Sequence, residues 1–403
     1  MVRVKTVWRI RGALVVALGS VAACIDTVEL GNGVTGVSGA VSISTRGYHT
    51  CVATATGGAK CWGLNKDMQL GDEDPYTLTK VEPVSVRSLS SGVKDVVAGE
   101  NHSCALLLDG TVECWGASYF GQVGAGLKVP IVPNRQKVAG LTDVKHLFAG
   151  NHHTCALVVS GAIKCWGWNN YQQLGDGTSE NRAEPVEVKG LGGTATVVAA
   201  GEMHSCAALA AGGVKCWGNN TQGELGNGRR GELGAGPVDV VGIRERVTAL
   251  SAGRGYTCAV TEAGAVKCWG WNFDGMLGDG TTVDRETPVD VRGLASGFVG
   301  VSASARHTCA WSNQGEVWCW GHNWAGEVGD GTSTNIRLSP VRAAGVGGDV
   351  VRVAVGVYHT CALTRGGVAV CWGANNFGAL GSGTTQDRLP DGTLQGGGRV
   401  NCQ

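Results

Sequence analysis

The hydrophobic and polar positions of this chain follow a short rhythm that changes every few residues. Between residues 185 and 217, "PVEVKGL" alternates and then breaks, and "ATVVAAG" is a short apolar run. "HSCAALA" and "VKCWG" then flank a small Gly-containing turn. Short alternating or apolar runs bounded by glycine predict strands. No stretch sustains the 3.6-residue period of an amphipathic helix. The segment therefore reads as four short strands joined by Gly-rich turns.

The same unit returns along the chain. Cys51 and Cys61 are ten apart, as are Cys104 and Cys114, Cys155 and Cys165, Cys206 and Cys216, Cys258 and Cys268, Cys309 and Cys319, and Cys361 and Cys371. The seven pairs start 51 to 53 residues apart, and each second cysteine precedes Trp-Gly, from Trp62 to Trp372. So regular a period means one architecture rather than several domains. Four strands in each of seven units predict an all-β, seven-bladed β-propeller over residues 34–395, with a tail at 396–403. An open solenoid has the same period. The ring is favoured because no polar capping unit is visible and because "GVTGVSGAV" supplies an orphan strand before the first unit. The last unit has "LPDGTLQGG" where others have a good outer strand. The N-terminal strand is therefore expected to close the ring by completing the last blade.

Composition narrows the class. The chain has 67 glycines in 403 residues without a three-residue period, which excludes collagen and fits frequent tight turns. Nine prolines and 43% hydrophobic residues argue against a disordered chain. Arg3, Lys5, Arg9 and Arg11 precede the apolar run "GALVVALGSVAA", which ends at Cys24. This predicts an export signal at 1–24 with a lipobox-like end, Cys24 being acylated, and a short linker at 25–33. The alternative is an ordinary signal peptide cut after Ala22 or Ala23. The expected location is the outer membrane or cell surface as a lipoprotein, otherwise the periplasm or the medium. Without residues 1–23, 29 basic and 33 acidic side chains remain, about −4 in charge. That leaves no electrostatic footprint for nucleic acid.

In "CALLLDGTVEC" the turn falls at Leu108-Asp109-Gly110, so Cys104 and Cys114 lie nearly opposite on antiparallel strands. Export permits oxidation. Seven disulfides within blades are expected: Cys51–Cys61, Cys104–Cys114, Cys155–Cys165, Cys206–Cys216, Cys258–Cys268, Cys309–Cys319 and Cys361–Cys371. The spacing is not that of a zinc knuckle. Cys402 is left over, either free or paired with an unacylated Cys24.

Taken together, His-x-Cys-Ala-Leu followed by Gly, Val and Cys-Trp-Gly-x-Asn-x-x-Gly-Gln-Leu-Gly-x-Gly resembles the repeat of the regulator of chromosome condensation family. It stands as "HSCALLLDGTVECWGASYFGQVGAG" in the second unit and as "HTCAWSNQGEVWCWGHNWAGEVGDG" in the sixth. The resemblance covers roughly residues 34 to 395 and implies a seven-bladed propeller. Met68, where most units have Gly, and Tyr256, where most have His, mark blades expected to be locally irregular. The family's nuclear member is a guanine-nucleotide exchange factor that binds chromatin, a role that suits an exported, slightly acidic chain poorly. An exported bacterial propeller of this type inhibits β-lactamases by binding them with one rim, which makes protein binding plausible.

A search for chemistry yields little. His49, His102, His153, His204, His307 and His359 recur at one position and are read as structural imidazoles bonding a neighbouring blade. His146, His152 and His322 stand outside the series and default to surface roles. "GDGT" at Gly175, Gly278 and Gly329 has too few carboxylates for a calcium loop, and is read as a glycine turn. The loop holding Asp72 and Asp74 is the first place to look for a weak cation. No Walker loop and no Gly-x-Ser-x-Gly occurs, so no enzyme, cofactor or metal site is expected. A hydrolase in the central channel is a further alternative, and the Asp-box pattern of sialidase propellers is absent.

The repeated Trp after each cysteine is read as packing between blades. Aromatic side chains that differ between units are the candidates for recognition: Tyr119, Phe120, Trp168, Tyr171, Trp271, Phe273, His322, Trp324 and Phe377. They would gather on one rim. The functional expectation is a non-enzymatic, envelope-anchored monomer that binds an unidentified protein partner there, with the lipid anchor as its sole membrane contact. The alternative is a lectin-like propeller whose aromatics stack on a glycan.

Overall fold

A computed structural model describes residues 37–390 apart from 128, 232 and 334. These residues form seven radial antiparallel sheets and no helix. The third blade is representative, with Val144–Ala149 innermost, then His153–Val158, Ile163–Gly167 and Arg182–Glu187 outermost. Six sheets have four strands in this sequential order. The all-β, seven-bladed propeller expected from the period is the observed fold.

Two expectations about the strands are corrected. The alternating segment "PVEVKGL" does not open a unit. Its strand, Arg182–Glu187, pairs with the preceding Ile163–Gly167, with Val186 opposite Cys165, so it is the outer edge of the previous blade. The repeat visible in the sequence therefore straddles two blades. Nor does the N-terminal strand complete the last blade. Ala40–Thr45 is the innermost strand of the first sheet, paired with His49–Thr54 across a three-residue link. Pairing with the strand next in the chain closes a very short loop, and so costs less entropy than pairing with a distant one. The seventh sheet has three strands, Val350–Val355, His359–Thr364 and Ala369–Gly373. Arg388 bridges Gly373 at the register where Arg285 meets Gly270 and Arg182 meets Gly167. The chain thus begins its own outer strand there.

The ring closes by the same bonds that join the other blades. Ala40 N–H donates to Gly367 O at 2.9 Å, as Val93 N–H does to Gly57 O at 2.8 Å. An apolar cluster crosses this seam, with Ile43, Val52 and Trp62 on one side and Ala354, Leu363 and Ala369 on the other.

Both blades expected to be irregular are regular. Met68 and Gln172 adopt φ of 60° and 64°, where Gly121, Gly223, Gly275, Gly326 and Gly378 also have positive φ. The left-handed conformation is kept at a modest cost for a side chain with Cβ. Tyr256 is treated below.

All seven expected disulfides are present among the described residues, each joining directly opposed positions of one hairpin. Seven bridges fit an oxidising, extracellular setting. The export segment with Cys24, the linker and Cys402 lie outside the described residues. Among the described residues, no helix is long and apolar enough to cross a membrane.

Candidate functional site

Between blades, one arrangement recurs. The Trp after each second cysteine is fully buried and reaches back to the preceding blade. Trp166 Nε1–H donates to Gln122 O at 2.9 Å, Trp217 to Gln173 O at 2.9 Å and Trp62 to Ala379 O at 2.8 Å. The same carbonyl accepts a hydroxyl from the residue before the first cysteine. Ser205 Oγ donates to Gln173 O at 2.9 Å, and Thr50 Oγ1 to Ala379 O at 3.1 Å. Because that hydroxyl hydrogen is spent, its oxygen is left to accept. It accepts from the repeated histidine: His49 Nε2 lies 2.9 Å from Ser103 Oγ, and His153 Nε2 lies 2.9 Å from Ser205 Oγ. His102, His204, His307 and His359 make the same contact, at 2.8 to 3.1 Å, with Thr154, Thr257, Thr360 and Thr50.

The histidine must then carry its proton on Nε2, leaving Nδ1 bare. Nδ1 of His49, His102, His153, His204 and His307 is indeed buried without a partner. Burial lowers His49, His102 and His204 to about 3 and His359 to about 4, and pushes His153 and His307 well below the usual range. These imidazoles are neutral seam pins near neutral pH. At the fifth blade, Tyr256 does the same work. Its hydroxyl donates to His307 O at 2.8 Å and lies 3.0 Å from Thr308 Oγ1, which also reaches Met276 O at 3.0 Å.

The loop after Cys-Trp-Gly is built on a second repeated frame. Asn169 is buried, and its Nδ2 donates to Asp176 Oδ1, Thr178 O and Glu180 O at 2.9 to 3.1 Å. Its Oδ1 accepts from Leu174 N–H at 3.0 Å. Asn272, Asn323 and Asn375 repeat this geometry. The Asp of "GDGT" is a brace rather than a cation ligand: Asp176 pairs with Arg182 at 2.8 Å, and Asp279 with Arg285 at 2.6 Å. The acidic loop of the first blade is likewise filled from within. Lys80 Nζ lies 2.7 Å from Asp74 and 3.3 Å from Asp72, and its hydrogen bond holds the Asp74 carboxyl well below the usual range. A lysine ammonium occupies the place where a weak cation was sought.

On this frame stand the variable aromatics. Two sets of links meet on one face, the loop after Cys-Trp-Gly and the short link before each seam histidine. Phe120 packs against His152 of the next blade at 5.6 Å and Trp168 at 5.6 Å, and Trp168 meets Tyr171 at 5.3 Å. Trp271 stacks on Phe273 at 6.1 Å. His322 stacks on Trp324 at 5.6 Å and touches Tyr358, which continues through Tyr48 to Phe377. Eight of the nine sequence-chosen residues fall in these three groups, and Tyr119 stands apart with its hydroxyl 3.4 Å from Asp67 Oδ1; the fourth blade has Asn219, Thr221 and Gln222 at the matching positions. Six of the nine, Phe120, Trp168, Tyr171, Trp271, His322 and Phe377, are largely covered by their own groups. Tyr119, Phe273 and Trp324 are 57%, 62% and 71% exposed.

Sequence reasoning missed Tyr76, at 92% the most exposed aromatic among the described residues, and also Tyr48 and Tyr358. Tyr76 sits in the corresponding loop of the first blade, beyond its Gly-rich turn and outside the repeated motif. Tyr48, His152 and Tyr358 occupy the residue before the seam histidine, which varies between blades and carried the available signal. His322 is no isolated surface histidine, since its Nδ1 lies 2.7 Å from Glu327 Oε1.

A family model for the regulator of chromosome condensation (RCC1) repeat matches residues 60–106, 109–157, 160–208, 211–260, 263–311 and 314–363. The chain is similar to the ultraviolet-B receptor UVR8 of Arabidopsis thaliana, 31% identical over 356 residues that cover 86% of this chain and 80% of that one. It is 29% identical over 333 residues to the human E3 ubiquitin-protein ligase HERC2, covering 80% of this chain but 7% of that protein. Among solved structures, human WBSCR16 has a TM-score of 0.72 at 24% identity, covering 81% of this chain and 86% of that one. Yeast RCC1 (Prp20), solved bound to Kap60, has a TM-score of 0.73 at 20% identity, covering 83% and 82%. At those identities the two structures show the shared fold alone. Seven blades, the repeated seam and the six matched repeats together show that the chain belongs to the regulator of chromosome condensation (RCC1) repeat family.

Proposed function

We propose that this chain is a non-enzymatic, exported propeller that holds a protein partner on its aromatic face, anchored to the envelope through an acylated Cys24. One observation carries the reading. Every Tyr, Phe or Trp exposed among the described residues, Tyr76, Tyr119, Phe273 and Trp324, stands in the loop after Cys-Trp-Gly. Exposed aromatics held on a rigid frame are what a protein interface uses as anchors, because little side-chain entropy is lost on binding. Similarity supports the class of function: the yeast relative is described in complex with Kap60 and in its binding to Gsp1p and histones. Those partners belong to that protein.

The test is cross-linking capture from the native envelope with wild type and with Phe273→Ala/Trp324→Ala. One protein retained by wild type and lost by a folded double variant supports the reading. Equal capture by both moves the site off this face. The stacked pairs Trp271–Phe273 and His322–Trp324 favour the glycan alternative. Glycan-array binding that vanishes on Trp271→Ala would select it. Mass spectrometry of the mature N-terminus tests the anchor, and an unmodified terminus removes it.

A further inference from the structure

The channel along the propeller axis contains a cavity of about 340 Å³. Its upper end is formed by Arg46, on the link between the first two strands of the first blade. At the matching position the other blades have Gly99, Gly150, Gly201, Gly253, Ser304 and Gly356, so one long side chain crosses where the rest stop short. Arg46 Nε–H donates to Asn151 Oδ1 at 2.7 Å. One terminal nitrogen donates to Ala252 O at 3.0 Å, and the other reaches Ala149 O at 3.4 Å. The third and fifth blades thus hold the guanidinium across the channel.

This cation lacks a counter-ion in contact. Among the described residues, no carboxylate lies within salt-bridge distance of Arg46. Glu100 and Glu202 act on it from farther away, and each has a nearer partner: His152 at 3.2 Å from Glu100, and Arg254 at 3.1 Å from Glu202. Burial lowers the guanidinium to about 10 in spite of both carboxylates. Three of its five N–H donors are used, and part of its surface remains open. A desolvated charge of this kind is stabilised by an anion brought against it.

The cavity wall supplies matching donors. Ser44 Oγ accepts from Ala98 N–H at 3.0 Å, Ser251 Oγ from Ala303 N–H at 2.9 Å, and Ser302 Oγ from Val355 N–H at 3.1 Å. Each bond uses the serine oxygen as acceptor, and none of the three hydroxyl hydrogens has a protein acceptor. All three serines line the same cavity as Arg46. At the opposite end the cavity is edged by the exposed His146 and by Arg352, which pairs with Asp95 at 3.3 Å.

We propose that the central channel binds a small oxyanion, a phosphate, sulfate or carboxylate group, against Arg46, with the hydroxyls of Ser44, Ser251 and Ser302 as further donors. Arg46 stands at the axis of the aromatic face, on the same link as Tyr48, but the anion site uses none of the exposed aromatics, so titration with small anions succeeds or fails independently of partner capture. Calorimetric titration with inorganic phosphate, sulfate and acetate at constant ionic strength tests it. The expected result is saturable binding of one anion per chain, weakened at least about tenfold by Arg46→Gly. Glycine already occupies this position in five blades, so the fold should tolerate it. If that variant does not fold, Arg46→Met provides the same comparison. Comparing acetate with the two inorganic anions shows whether the natural group is a carboxylate. Absence of saturable binding by all three anions, or affinity unchanged in the folded variant, overturns the proposal.

Discussion

The seams between blades and the loops of the aromatic face are built from the same repeat and treat variation in opposite ways. At the seams, Trp and Ser or Thr converge on one loop carbonyl seven times over and a His bonds the hydroxyl in six blades, and the one departure, Tyr256, restores the link with its own hydroxyl. In the loops, an Asn–Asp–Arg frame, complete in the third, fifth and sixth blades and altered in the others, stands beside Trp168 in one blade and His322 in another, while the fourth blade has Asn219 there and Asn227 in place of the Asp. The contrast teaches that this protein spends its repetition on rigidity and leaves a few side chains per blade free to differ. Recognition belongs among the latter.

The comparison breaks most visibly at the seam tryptophans. Trp166→Ala removes a fully buried indole and its bond to Gln122 O, and should cost about 3–5 kcal/mol in urea unfolding under oxidising conditions. A loss under 1 kcal/mol would mean that the other seam contacts, not this indole, hold the blades together. Next comes the loop frame. Asn169→Ala leaves Leu174 N–H and three acceptors without their partner and should cost about 2 kcal/mol, with faster amide exchange confined to that loop. Unchanged exchange would show that the turn glycines alone shape it.

The seam histidines sharpen the contrast through pH. An unfolded imidazole takes up a proton below about 6.5, whereas His204 in the fold resists to about 3. The unfolded chain therefore binds more protons across that window, and stability should fall as pH falls from about 6.5 toward 3. Each such histidine contributes at most about 1.4 kcal/mol per pH unit. His204→Tyr, which copies the fifth blade, should reduce the slope of stability against pH by one proton. An unaltered slope would place the acid sensitivity elsewhere. The smallest effect belongs to the aromatic face: Trp324→Ala should change the urea midpoint by no more than about 0.5 kcal/mol in free energy, since the side chain is 71% exposed. A larger loss would make Trp324 part of the scaffold.

How much of this was legible depended on whether a feature was repeated. Cysteine spacing revealed blade number, disulfides and fold, because seven copies average out local noise. Strand framing was misread because period alone has no origin: "PVEVKGL" follows one hairpin and precedes another, and hydrogen bonding decides which it joins. Closure was misread for a related reason. An incomplete copy at the end suggested a borrowed strand, while Ala40–Thr45 had a partner three residues away. At the aromatic face, position in the motif put nine residues in the loops after Cys-Trp-Gly but could not distinguish Trp324, which is largely exposed, from Trp271, which is half-buried. Arg46 escaped notice because a lone arginine has no sequence signature; its meaning comes from the acceptors that two distant blades bring to it.

The disulfides have a mechanical consequence. Each spans ten residues of a single hairpin, and none crosses a seam among the described residues. Tension applied to the two ends would meet covalent resistance inside every blade and only hydrogen bonds and packing between the first and the seventh. The ring should therefore open under load like a clasp, releasing intact blades one after another. Each would yield a contour length shortened by the segment its own bridge keeps folded away.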